Sequence, residues 1–392
     1  MQKMASGQKS AVSLVFLLLI SSLSLVFSAP NQNMNQSFLP EQESPKESIL
    51  PIGQLNISGF QEGSIYTNTT LSAGNKHTCV ILDNGSLKCW GQDNYGQLGD
   101  GGGNIDTNAP STTPVNLGTN RTAVAIASGL DHSCAILDDG SVSCWGQGNY
   151  GQLGYGGASP MSTPIQISSL GTGRTAVAIT SGNEHTCALL DNGSATCWGR
   201  NSNGQLGYGS SGSNTDQSNP ILTSSFGNGR TAVAISSGDH HNCAILDDGS
   251  VSCWGWNNNG QLGIGSFTAK NTPAQTSSLG PGRTAVAISS GSYHTCAILD
   301  NGAVSCWGNN GAEGRLGNGG TSVQTTPTPT SSLGVNRTAT SLSSGTMHSC
   351  AILDDGSVAC WGDGYRGQLG YGGNSAKRIP TLTSSLGINR TA

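Results

Sequence analysis

The chain reads as an all-β array of six repeats, and three observations carry that expectation. All twelve cysteines fall into six pairs with nine residues between partners: Cys79/Cys89, Cys134/Cys144, Cys187/Cys197, Cys243/Cys253, Cys296/Cys306 and Cys350/Cys360. Successive pairs begin 53 to 56 residues apart from Leu71 to the C-terminus, a period that builds propeller blades or solenoid turns. Glycine is frequent, at 58 of 392 residues, while only 10% are charged and 5% aromatic. That composition is rich in turns, poor in helix formers and suited to many short strands.

One unit shows how each element arises. In "RTAVAIASGLDHSCAILDDGSVSCWGQGNYGQLGYG", Thr122 to Ala127 alternates at period two and stops at Gly129, which predicts strand A. His132 to Leu137 is strand B and Ser141 to Trp145 is strand C, with the hairpin signal Asp138-Asp139-Gly140 between them. After "GQLG" a looser segment ends in Thr-Pro, and "IQISSLG" or its equivalent is expected to form strand D. A three-residue loop with Gly140 left-handed places Leu137 opposite Ser141, Ile136 opposite Val142 and Cys134 opposite Cys144. Directly opposed residues stand about 4.5 to 5.5 Å apart at Cα, within the range a disulfide accepts.

The cysteines admit three uses. An even count at uniform spacing in an exported chain favours six intra-hairpin disulfides. Reduced thiols buried as small hydrophobes are the second use. Metal binding is the third, and nine intervening residues fit a hairpin better than the two to four usual between paired zinc ligands. The chain-entropy model gives each short loop an upper figure of roughly 2.5 to 3 kcal/mol.

Other residues recur once per unit. His77, His132, His185, His241, His294 and His348 open strand B, which suits a hydrogen bond at the strand start better than a shared metal ring. Arg121, Arg174, Arg230, Arg283, Arg337 and Arg390 precede strand A and are expected to pin a loop. Trp90, Trp145, Trp198, Trp254, Trp307 and Trp361 follow the second cysteine. Alternation turns them away from the cysteine side, into the space between neighbouring blades.

Residues 1–28 read as a signal peptide or N-terminal anchor: Lys3 and Lys9 flank the apolar run Ala11 to Phe27, with small residues near Ser28. Residues 29–63, with "PNQNMNQSFLPEQESPKES", are expected to be a disordered polar linker. Residues 64–392 are the repeat domain. The resulting location is secreted or at the cell surface.

The ordered combination of Gly129, His132, Asp139-Gly140, Trp145-Gly146 and Gly151-Gln152-Leu153-Gly154 resembles the repeat of the regulator of chromosome condensation (RCC1-like) family over about 320 residues, from Leu71 to Ala392. The resemblance implies a β-propeller of four-stranded blades. Six repeats are visible, so it is either six-bladed or an incomplete seven-bladed ring, with "SIYTNTTLS" (residues 64–72) supplying a closing strand or the reading frame being cut short at "NRTA". The paired cysteines mark a secreted, disulfide-containing branch, so the exchange activity of nuclear members is not carried over.

Alternating strand direction sends the A–B and C–D connections to one face and the B–C and D–A connections to the other. The second face repeats almost verbatim. The first varies, and its candidate binding residues are Tyr95, Asp131, Tyr150, Glu184, Arg200, Asp239, Trp256, Tyr293, Arg315, Tyr365 and Arg366. Aromatic and arginine side chains on loops of a rigid scaffold suit recognition. The expectation is therefore a binding scaffold for an extracellular protein or glycan, without cofactor or metal, and with a membrane tether through residues 1–28 if these stay attached. The net charge of −5 and scattered basic residues speak against nucleic acid. The alternatives are a hydrolase or lyase using Asp131, Glu184, Asp239 and a neighbouring histidine, or an inert adhesive spacer. Asp83, Asp138, Asp139, Asp191, Asp247, Asp248, Asp300, Asp354 and Asp355 sit in B–C turns, where they serve turn geometry.

Overall fold

The computed structural model describes residues 70–387 and 390–392. The expected signal or anchor (1–28) and linker (29–63) lie outside them.

Six antiparallel sheets follow one another along the chain as blades. Blade 1 has three strands, β1 (Leu71–Ala73), β2 (His77–Ile81) and β3 (Leu87–Gly91). Blade 2 has four in sequence order, β4 (Ala123–Ser128), β5 (His132–Leu137), β6 (Val142–Gly146) and β7 (Met161–Gln166). Blades 3 to 6 repeat that plan over residues 176–222, 232–275, 285–329 and 339–382. Innermost A strands meet around a common axis, joined side by side by bonds such as Ser128 N–H to Ser72 Oγ (2.9 Å) and Ser290 N–H to Ser236 Oγ (2.9 Å). The molecule is a propeller of six blades.

The hairpin register is the one the turn chemistry requires. Cys134 faces Cys144, Ile136 faces Val142, and Leu137 N–H bonds Ser141 O at 2.9 Å. Gly140 has φ of 76°, and a Cβ there would stand 2.5 Å from Cβ of Thr175 as the chain enters the next blade. Only glycine satisfies both demands. Asp139 accepts the Ser141 N–H across the turn at 3.0 Å.

Of the three uses open to the cysteines, the structure has the first. Disulfides join Cys79 to Cys89, Cys134 to Cys144 and Cys187 to Cys197 in blades 1 to 3. They join Cys243 to Cys253, Cys296 to Cys306 and Cys350 to Cys360 in blades 4 to 6. No thiol is left free. The Cα separations are 4.0 to 4.1 Å, below the 4.5 to 5.5 Å expected, with Cys134 and Cys144 at a non-hydrogen-bonded position of the ladder, where strands stand closest.

Two expectations need correction. Strand D lies earlier than "IQISSLG": it is Met161–Gln166, running through the Thr-Pro. Pro164 is tolerated there because an outermost strand needs no outward donor. Strand A carries a register shift between Ala123 and Ala125, which a strict period of two misses. The described end of "SIYTNTTLS" lies in Leu71–Ala73, which supplies strand A of blade 1 by pairing with β2, as one of the two alternatives expected. Blade 1 keeps only fragments of a fourth strand, a bridge from Gly91 to Thr107 and Val115 N–H to Leu87 O at 2.8 Å.

The core lies between blades. The cystine of one blade and the tryptophan of the next share each layer: Cys134, Cys144, Ile136 and Val142 of blade 2 pack with Ala176, Ala188 and Trp198 of blade 3. Trp145, Trp198, Trp254, Trp307 and Trp361 are fully buried. A relay of polar groups crosses the same layer. His77 Nε2 is 2.9 Å from Ser133 Oγ, whose hydroxyl donates to the Gln97 carbonyl at 3.2 Å, and that carbonyl also accepts Trp145 Nε1–H at 2.9 Å. His132 with Thr186 (2.9 Å), His241 with Thr295 (2.9 Å) and His294 with Ser349 (2.8 Å) repeat the first step.

Between blades 3 and 4 the hydroxyl is replaced by Asn242. Its Oδ1 lies 3.0 Å from His185 Nε2 and its Nδ2 donates to Gln205 O at 2.7 Å. An amide oxygen cannot donate, so the imidazole proton sits on Nε2. The Nδ1 atoms of His77, His132, His185, His241 and His294 are buried without a partner. Burial holds these rings neutral, with pKa values lowered to about 4 for His77 and His185 and about 3 for His132, His241 and His294. The repeated histidines are thus links between blades.

Candidate interaction face

The A–B and C–D loops emerge together, as alternation requires, and surround an axial pocket of about 470 Å3 lined by A–B turns of all six blades. Around it the variable side chains of blades 2 to 5 form one continuous stripe. Tyr150, on the C–D loop of blade 2, lies under the Arg200 guanidinium of blade 3, 4.8 Å from ring centroid to Cζ. Arg200 also bonds and ion-pairs with Glu184 on the A–B loop of its own blade. Next to Glu184 comes His240, whose ring meets Trp256 edge-on at 5.8 Å. Trp256 in turn meets Tyr293 of blade 5 edge-on at 5.5 Å. All six side chains are half-buried: one flank is fixed by its neighbour and the other is open to solvent. Such preordered aromatic surface loses little entropy when it is covered.

The acidic groups of the stripe are partly used up by the scaffold. Asp239 hydrogen-bonds Ser292 and Asn183 on the flanking blades, and burial nonetheless raises its pKa. Burial also raises Asp131, with Lys76 opposing and Glu184 adding to the shift. Burial lowers the His240 pKa against the pull of Asp239 and Glu184. Asp131 and Glu184 act on one another, while the Glu184 carboxylate is tied to Arg200 and that of Asp239 to its two bonds.

Of the eleven face residues singled out from sequence, Tyr150, Glu184, Arg200, Asp239, Trp256 and Tyr293 lie in this stripe, with Asp131 at its blade 2 end. Tyr95 on blade 1 and Tyr365 and Arg366 on blade 6 are exposed, Tyr365 at 63%, and stand apart from it. Arg315 differs: it is only 5% exposed. It occupies the glutamine position of the repeat, "GRLG" in place of "GQLG", and pairs with Glu313. That substitution loosens the layer between blades 5 and 6, where Ser349 Oγ reaches Arg315 O at only 3.5 Å and Trp361 Nε1 has no partner. His240, which is not among the eleven, belongs with Asp239 to the variable residues just before the repeated His241, and its contact with Trp256 brings it into the stripe.

The cysteines take no part in the face. Cys79, Cys89, Cys134, Cys144, Cys187, Cys197, Cys243, Cys253, Cys296, Cys306 and Cys360 are all buried, and Cys350 is half-buried. Bonded in pairs, their sulfurs offer neither a nucleophile nor a thiolate ligand. Their role is to staple the hairpins that carry the loops.

The comparisons with known proteins agree on the architecture. Residues 36–391 match the family model described as the RCC1-like domain. The ultraviolet-B receptor UVR8 of Arabidopsis thaliana is 32% identical over 305 residues, covering 78% of this chain and 67% of the receptor. The E3 ubiquitin-protein ligase HERC2 of Homo sapiens is 31% identical over 329 residues, covering 82% of this chain but 7% of the ligase. Among solved structures, human WBSCR16 superposes with a TM-score of 0.71 at 22% identity, covering 81% of this chain and 82% of that one. Yeast RCC1 (Prp20), solved bound to Kap60, gives 0.69 at 21%, covering 81% and 74%.

Proposed function

The chain belongs to the RCC1-like family, and from that premise we propose that it is a secreted or surface-tethered recognition scaffold that performs no chemistry of its own. Its ligand is an extracellular protein or glycan held on the A–B/C–D face. The observation that carries this reading is the stripe from Tyr150 through Arg200 and His240 to Trp256 and Tyr293, which crosses four blades and leaves aromatic surface open. Aromatic and arginine groups supply most of the energy at binding surfaces. Six disulfides suit an oxidising compartment, which supports the extracellular placement. Relatives support the recognition role: one is named a receptor and another was solved with a protein partner. The ligase activity in the name of HERC2 belongs to a protein of which this chain matches 7%.

The test is capture from the native extracellular fraction on immobilised propeller, alongside a glycan array. Trp256→Ala combined with Tyr293→Ala should reduce capture at least tenfold. Asp138→Ala with Asp354→Ala, on the opposite face, should leave it unchanged. Equal capture by both double variants would remove the stripe from consideration.

A further inference from the structure

The six C–D loops differ at the second residue after the repeated Trp-Gly, and the difference points to a bound cation. In blades 3, 4 and 5 the position is Asn201, Asn257 or Asn310. Each uses its Oδ1 to accept the leucine N–H of the "QLG" or "RLG" turn, from Leu206 (3.0 Å), Leu262 (2.9 Å) and Leu316 (3.0 Å). Each uses its Nδ2 to donate to oxygens of the loop: Ser210 O and Thr215 Oγ1, both at 2.9 Å, Ser266 O at 2.8 Å and Thr268 O at 3.0 Å, and Asn318 Oδ1 at 3.0 Å.

Blade 1 puts Asp93 there. Its Oδ1 keeps the shared role, accepting Leu98 N–H at 2.9 Å. Its Oδ2 takes the place of the amide nitrogen, so an acceptor stands where the fold has a donor. Asp93 is 1% exposed and Oδ2 has no partner. A buried carboxylate oxygen without a hydrogen bond is expensive. The loop it faces adds to the negative charge: Asp106 accepts the Asp93 N–H at 2.9 Å, and Asp100 and Asp106 both act on the Asp93 carboxylate. Between them run the exposed Gly101, Gly102 and Gly103, with Asp100 Oδ1 accepting the Gly102 N–H at 2.8 Å.

We propose that the Asp93 loop of blade 1 binds a hard divalent cation, calcium, between Asp93 Oδ2 and residues 100–106. Oxygen-only ligands in a flexible loop match calcium, which accepts mixed carboxylate and carbonyl shells, better than magnesium, which demands an octahedron. Among the described residues no three acidic, histidine or cysteine side chains already stand in a coordinating array. The shell therefore includes loop carbonyls beside Asp93 and Asp106. This proposal does not depend on what the variable face binds.

The experiment uses the full chain after chelation, with calcium chloride as the probe. Calorimetry should find one site per chain, and calcium should raise the melting temperature more than magnesium does. Asp93→Asn copies the chain's own solution in blades 3 to 5, so it should fold without calcium and lose the calcium response. Asp106→Asn, which keeps the acceptor for Asp93 N–H, should weaken binding tenfold or more. Two results would overturn the proposal: a wild-type chain whose calorimetry and melting temperature ignore calcium, or an Asp93→Asn variant that still responds to calcium.

Discussion

The five junctions between consecutive blades and the meeting of blade 6 with blade 1 use the same repeated residues, yet only the five join them. At each of the five, a histidine bonds the next blade and a tryptophan fills the layer from that blade. At the sixth, among the described residues, His348 makes no such bond, Trp90 is half-buried and Leu71 is 61% exposed. Gln368, whose counterparts Gln97, Gln152, Gln205 and Gln261 are fully buried, is half-exposed. The difference teaches that a repeat residue has no fixed role of its own: its burial, protonation and energetic weight come from the blade that follows or precedes it.

Acid gives the strongest way to break the contrast. His77, His132, His185, His241 and His294 have folded pKa values depressed to about 3 or 4, against about 6.5 in an unfolded chain. Their full contribution is present above pH 6.5 and is lost as the pH falls towards 3 to 4, because the unfolded chain takes up protons first. Each ring withdraws at most about 1.4 kcal/mol per pH unit, so five acting together should remove several kcal/mol, as an order of magnitude, by about pH 5. Thermal melts at pH 7.5 and 5.0 should show it. His241→Gln should flatten the pH dependence more than His348→Gln, whose half-buried ring is also lowered by burial but lacks the bond to a next blade; equal effects would erase the distinction between the junctions.

Tryptophan truncation separates the two regions next. Trp254→Ala should cost about 3 to 5 kcal/mol, the range for a large buried aromatic. Trp90→Ala, at the junction where the ring is only half-buried, should cost less than half of that by chemical denaturation. The smallest effect belongs to the monotonous face. Arg121 pairs with Asp138 and Asp139 at 3.3 and 2.8 Å, and Arg337 with Asp354 and Asp355 at 3.3 and 3.0 Å, all substantially exposed. Arg121→Ala and Arg337→Ala should each cost no more than about 1 kcal/mol, with little difference between blade 2 and blade 6, since neither pair crosses a junction.

Much of this fold was legible because its register is written in local chemistry. Asp138-Asp139-Gly140 fixes which residues oppose, and Cys134 facing Cys144 follows without knowledge of any other blade. The placement of tryptophan opposite the cystine followed from alternation alone. What stayed hidden is what depends on contacts some 55 residues away: that His132 reaches Thr186, that Gln97 offers one carbonyl to two donors, that Arg315 is an inward substitution of that glutamine. Strand D was misplaced because an edge strand carries neither a strong apolar alternation nor a full ladder. The site was half legible. Loop variation located the stripe, but the coupling of Tyr150 to Arg200 and of His240 to Trp256 and Tyr293 needs the curvature of the ring.

Every disulfide lies inside one hairpin and none crosses from blade to blade. A propeller held this way has a mechanical grain. Under tension the non-covalent layers part first and the blades come away in turn, yet each hairpin tip stays knotted by its own covalent clasp. About ten of some 54 residues per unit are withheld, so each yielding step releases only about 150 Å of chain, and the recoiling strand finds its partner register already set.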